Sequence, residues 1–320
     1  MRAGHWHFSL GAVAVVGGSF LLPYLLSMSL AIDIVILAIA ATAFNLMLGY
    51  TGLLSFGQAA FFAIGGYAAG NVLLHLGLSA LPTLLVSGLA GAAASAVVGF
   101  LTLRLRNVYF ILMTLAFAQL IYFLALSWRE VTGGASGLRN FPRPELNLGA
   151  VSLSLESTIA VYIFAVIMLL ACLAVFYRLI SSPIGLVLRC IRENQERVEA
   201  IGYPVGRYKM MCFSVAGAMT GIAGGLYAIQ WLIVPVGVAS MDQSAAIVFM
   251  SILGGVGHPL GPVLGAAIYT WLADVISVYW ARWPLLFGLF IIVIILFLRG
   301  GLTEGIARLA AFLQRTPERR

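Results

Sequence analysis

The stretch Thr158–Lys209, TIAVYIFAVIMLLACLAVFYRLISSPIGLVLRCIRENQERVEAIGYPVGRYK, joins an apolar run to the most charged segment of the chain. Its first twenty residues carry no charge, and at 1.5 Å per residue a helix of that length crosses the roughly 30 Å of hydrocarbon in a bilayer. Its last twenty-one, from Arg189 to Lys209, hold eight charged side chains in a 320-residue sequence that is only 9% charged. Working outward, apolar runs of the same kind recur at about 8–30, 32–48, 53–74, 80–103, 108–126, 158–178, 210–233, 244–256, 262–279 and 284–299. Hydrocarbon offers no partner to backbone N–H and C=O groups, so runs this long predict helices and not the alternating strands of a barrel. The expected fold is an all-α polytopic membrane protein of about ten transmembrane helices in one bundle.

Composition leads to the same class. A chain that is 62% hydrophobic, with mean hydropathy +1.05, has more apolar side chain than a soluble domain of its size can bury. The first run reads as a transmembrane helix and not a cleaved signal peptide, because a further apolar run follows it directly. If the amino terminus lies inside, fourteen of the eighteen basic residues fall on inner segments, leaving Arg129, Arg139, Arg143 and Arg282 outside. The positive-inside rule therefore predicts that both termini are cytoplasmic, in a multi-pass protein of the cell (inner) membrane. On this reading the net charge of +7 reports topology, not nucleic-acid binding.

Residues 1–320 read as a single transmembrane unit with two long connections, an outer loop at 127–157 and an inner segment at 179–209. Small residues cluster at 49–70, 88–99 and 217–228, at spacings that let helix backbones approach closely. The stretch 253–262, with Gly254, Gly255, Gly257, Gly261, Pro259 and Pro262, cannot continue a regular helix. It reads either as a broken or re-entrant element beside a pathway or as a tight cytoplasmic turn.

The catalytic motifs that are missing narrow the function. Lys209 is the only lysine and is followed by Met210, Met211 and Cys212, so no phosphate-binding G-x-x-x-x-G-K-[ST] loop exists. His5, His7, His75 and His258 have no ligand-like spacing, and neither H-E-x-x-H nor G-x-S-x-G occurs. No catalytic or metal-binding group is expected, nor is a disulfide among Cys172, Cys190 and Cys212. An ion-coupled carrier would need carboxylates within the membrane, and only Asp274 reads as lying inside a span. That residue also suits an interfacial position beside Arg282, and Asp33 reads as part of an outer link. Ser55, Gln58, Thr114 and Gln119 either hydrogen-bond between helices or line a translocation path.

Read as one helix, 184–202 sets Ile184, Val187, Leu188, Ile191, Val198 and Ile201 along one side, with Arg192, Glu193, Glu196, Arg197 and Glu199 on the rest. Gly202 and Pro204 stop it. Arg189, Arg192 and Arg197 balance Glu193, Glu196 and Glu199, whereas helices resting on anionic lipid are strongly basic on the polar face. Mixed charge around an apolar stripe suits a groove on a cytoplasmic protein.

Five segments, 45–70, 103–120, 132–138, 191–228 and 252–267, together resemble the M-type permease subunit of branched-chain amino acid ABC importers, a type II permease family that also includes sugar, urea and short-chain amide importers. The resemblance implies an ATP-driven importer. Two related permeases would form the path, two cytoplasmic ABC ATPase subunits would bind ATP and Mg, and an extracytoplasmic binding protein would deliver the solute. No cofactor is then expected in this chain. It implies further that Arg189, Arg192, Glu193, Asn194, Glu196, Arg197, Glu199, Ala200 and Gly202 form the ATPase-coupling segment, and that Thr132, Gly133, Gly134 and Gly137 form the outer-loop motif. The sequence departs from the family pattern at Ser136, where an acid is common, at Ala246, where a Glu is common, and at Ser251, where an apolar residue is common. These departures bear on the solute and not on the transporter class.

Overall fold

The computed structural model describes residues 26–147 and 152–279, with short pieces at 17–18, 22–23, 284–286, 288–290, 292 and 301–305. The expected runs at 8–30 and 284–299 therefore lie largely outside the described residues. Long helices dominate: α1 (Met28–Thr51), α2 (Gln58–His75), α3 (Ala80–Thr102), α4 (Val108–Ser127), the single turn α5 (Arg129–Thr132), α6 (Thr158–Ile180), α7 (Pro183–Glu193), α8 (Gln195–Ala200), α9 (Val205–Trp231), α10 (Met241–Gly254) and α11 (Gly261–Tyr279). Six of them, α1, α3, α4, α6, α9 and α11, are long and apolar enough to cross a membrane. Short strands complete the outer connections. β1 (Leu138–Arg139) pairs antiparallel with β4 (Ile233–Val234), and β2 (Glu145–Asn147) with β3 (Ser152–Ser154).

Local chemistry sets the helix ends. Ser27, Ser157, Ser182 and Ser240 each offer a side-chain oxygen to a backbone N–H in the first turn of the helix that follows, and Pro183 occupies the first position of α7. Gly52 ends α1 at φ 73°, a conformation that costs glycine little.

The core is the packing of α9 against α2, α3 and α1. In this core the small-residue clusters act as the sequence predicts. A Cβ on Gly65 would overlap the backbone of Gly221, one on Gly224 would overlap Phe62 O, and one on Gly91 would overlap Gly217 O. Helices in hydrocarbon gain no hydrophobic drive from associating with one another, so such backbone contact is a main source of their attraction. Phe61 and Phe110 pack edge-on against Phe213 between these helices.

Two departures from the sequence reading bear on function. Asp33 is not in a link: it lies in the second turn of α1 and accepts a 2.9 Å hydrogen bond from Trp231 Nε1. The apolar run simply begins earlier than the hydropathy minimum suggests. The segment predicted as one helix over 184–202 is two, α7 and α8, because Asn194 is extended (φ −158°, ψ 98°) and its Oδ1 accepts from Arg197 N at 3.0 Å. A competing side-chain cap outweighs continuation of the helix at that residue.

Candidate functional site

The charged segment is fastened to the bundle along one side and free along the other. Leu188, Ile191 and Val198 are buried, as the apolar stripe requires. Arg192 donates to Gly49 O at the end of α1, and the Arg189 guanidinium sits 5.2 Å from the centre of the Tyr50 ring. Lys209, the sole lysine, is buried and donates to Gln195 Oε1 at 2.6 Å, tying the first turns of α9 to α8. Arg106, just past α3, pairs with Glu196 at 3.0 Å and Glu199 at 3.8 Å. Glu193, Arg197, Ala200 and Gly202 face outward. Ile201 corrects the predicted stripe: it is 74% exposed, beside exposed Tyr203, because α8 ends at Ala200 and the chain turns away at Ile201 and Gly202. Gly202 takes φ +89° with open space around it.

The 253–262 stretch resolves to a tight turn at this same end of the molecule. Asn45 grips it twice, accepting from Gly257 N at 2.8 Å and donating to His258 O at 3.0 Å, while Tyr50 donates to Gly257 O at 3.1 Å. Burial holds the His258 imidazole below its ordinary pKa, so its Nδ1 is free to accept from Leu260 N at 3.3 Å. Tyr50 and its neighbour Gly49 thus touch both the charged segment and the turn between α10 and α11.

Genuine breaks in the helical lattice occur elsewhere, at 52–57 and 232–240. The first turns of α2 and α10 meet there inside the bundle. Ser244 Oγ accepts from Ala59 N at 3.0 Å and donates to Phe56 O at 2.7 Å. Thr114 Oγ1 accepts from Phe56 N at 3.2 Å, and Ser55 Oγ from Gly57 N at 3.1 Å. Gln58 accepts from Thr220 Oγ1 at 2.7 Å and lies against Met47 Sδ. Ser55, Gln58 and Thr114 are therefore brought together, fully buried: the two hydroxyls serve the broken backbone, and Gln58 bonds the Thr220 side chain. Gln119, five residues on from Thr114 in α4, is half-buried and stands apart from that network. Sequence reasoning missed Ser244 and Tyr50, which act on backbone distant in sequence, and Thr220, which donates to the Gln58 side chain.

In the outer loop, Thr132 Oγ1 lies 2.5 Å from Ala125 O and 2.7 Å from Trp128 O, and accepts from Gly134 N at 3.2 Å. Gly133, Gly134 and Gly137 all have φ between 61° and 76°. A Cβ on Gly137 would stand 2.7 Å from Val234 O, so this glycine lets β1 lie on the 232–240 segment. Asp274 is exposed on α11, and Arg282 lies outside the described residues.

A family model for the permease component of branched-chain amino acid transport systems matches residues 25–298. The chain belongs to this family. It is 29% identical over 261 residues to the high-affinity branched-chain amino acid transport system permease protein LivM of Salmonella typhimurium, covering 76% of this chain and 61% of that protein. The LivM protein of Escherichia coli is 29% identical over 243 residues, 70% of this chain and 57% of its own length. The chain thus spans about three-fifths of the length of these two relatives. A probable LivM permease of Methanocaldococcus jannaschii is 24% identical over 275 residues, covering 75% of this chain and 78% of that protein. No solved structure matches. With its apolar helices, family membership makes the chain a multi-pass inner-membrane protein of the permease-component family.

Proposed function

We propose that this chain is the transmembrane permease subunit of an ATP-driven ABC importer for branched-chain or related amino acids. One observation carries the reading in a chain of this family: the segment 189–202 is tied to the bundle by Arg192, Lys209 and Arg106, and presents Arg197, Glu199, Ala200, Ile201 and Gly202 outward. Rigid attachment on one side and mixed charge with exposed apolar groups on the other suit a groove on a separate ATPase. In this reading residues 1–320 are one permease domain of about ten spans with both termini cytoplasmic. ATP and Mg bind to two partner ATPases, the outer loop 127–157 meets an extracytoplasmic binding protein, and a related second permease completes the path. The helix starts held by Ser55, Gln58 and Thr114, together with Gln119, form one wall of that path. Urea and short-chain amides are the alternative solutes.

The test is reconstitution with partner subunits purified alongside the chain from mild detergent. Glu199→Ala and Gly202→Ala should insert normally and still co-purify with the second permease, while ATP hydrolysis no longer drives uptake. Unchanged uptake in both variants, or uptake driven by an ion gradient without any ATPase, would overturn the proposal.

A further inference from the structure

The start of α10 lies far from either end of the bundle, yet it is exposed. Ser244 bonds to Ala59, the second residue of α2, and α2 continues to His75, roughly 24 Å further on at helical rise. From Ser244 to the end of α10 at Gly254 is roughly 15 Å in the opposite direction. Asp242, in the first turn of α10, therefore sits near mid-depth, and its side chain is exposed, as is that of Met241. Gly237, in the 3-10 turn just before, is exposed too, with open space where a Cβ would stand. An exposed carboxylate and an exposed short 3-10 turn at this depth share one constraint: neither is favoured against lipid tails. Both are tolerated where water meets them.

We infer that the face formed by Gly237, Met241 and Asp242 lines the aqueous passage, and that the Asp242 carboxylate takes the ammonium group of the passing amino acid. This rests on the importer reading and assigns a solute contact within it. An ammonium–carboxylate pair in a narrow, partly dehydrated passage is a short charge-assisted hydrogen bond, and it explains why an acid is kept where burial or lipid would both penalise it. Asp242 holds no place in the hydrogen-bond network of Ser55, Gln58, Thr114 and Ser244, so replacing it leaves that scaffold intact.

The experiment labels the assembled transporter in native membranes, in a Cys190→Ser background that removes the exposed thiol; Cys172 and Cys212 are buried. Met241→Cys should react with small water-soluble methanethiosulfonates, while Leu89→Cys on the exposed face of α3 should not. The cationic reagent should react faster than the anionic one by about ten-fold, and adding Asp242→Asn should remove that preference. Asp242→Asn should lower amino acid uptake by about ten-fold or more, with Asp242→Glu restoring most of it. An unreactive Met241→Cys, a charge preference that survives Asp242→Asn, or full uptake by Asp242→Asn would each overturn the inference. Labelling needs no turnover, so it reads out separately from a failure of the unsubstituted transporter to import.

Discussion

Two of the places where this molecule leaves regular helix solve the same problem with different residues. At the turn between α10 and α11, an amide and a phenol, Asn45 and Tyr50, reach the backbone of Gly257 and His258 near the charged end. Inside the bundle, where α2 and α10 begin, the partners are small hydroxyls, Ser244, Thr114 and Ser55, while Gln58 and Thr220 bond each other through their side chains. The difference follows from access to water. Near the end, solvent can replace a lost bond, so long side chains that position the turn suffice. In the interior every orphan N–H needs a protein oxygen in place, and here short hydroxyls supply it.

This contrast can be broken by substitution. The largest effect is expected from the packing that encloses the interior break: Gly224→Val forces a branched side chain onto Phe62 O and should destabilise by about 3 kcal/mol, read as loss of monodisperse protein and a lower melting temperature in detergent. Ser244→Ala should follow, at about 1–3 kcal/mol, because it strands Ala59 N–H in a site without water. Asn45→Ala removes two bonds yet should cost less, about 1 kcal/mol, since the turn residues it holds, Gly257 and His258, are partly exposed although Asn45 itself is buried. Equal or reversed effects of Ser244→Ala and Asn45→Ala on melting temperature would overturn the access argument. Arg106→Ala should be smallest: its partners Glu196 and Glu199 are exposed, so the loss should be at most about 1 kcal/mol and should shrink as salt is raised.

A further comparison concerns what could be read beforehand. The helices at 80–102, 108–127 and 158–180 match their apolar runs within a residue or two, because length and hydropathy are local properties. The packing role of the glycines at 65–66, 88–91 and 217–225 was equally legible, since spacing on one helix face is set by its own sequence. The run read as 53–74 hid five non-helical residues, and the run read as 210–233 gave no hint that the chain then folds back into the bundle. Hydropathy cannot distinguish an apolar helix from an apolar loop whose backbone is satisfied by a neighbour. The segment 189–202 was recognisable from its charge balance, while its division at Asn194 was not, because an Asn within an otherwise helical pattern can point outward or cap the next helix.

By itself the sequence determined the class of the protein, the position of most of its helices and the charged segment that stands out from them, all consequences of side-chain chemistry counted over a few turns. Tertiary structure alone decided which polar residues serve the interior. Ser244 lies 185 positions from Ala59, and Asn45 lies 212 from Gly257. Whether a buried hydroxyl or amide has a partner depends on which backbone is folded against it, and no local pattern contains that information.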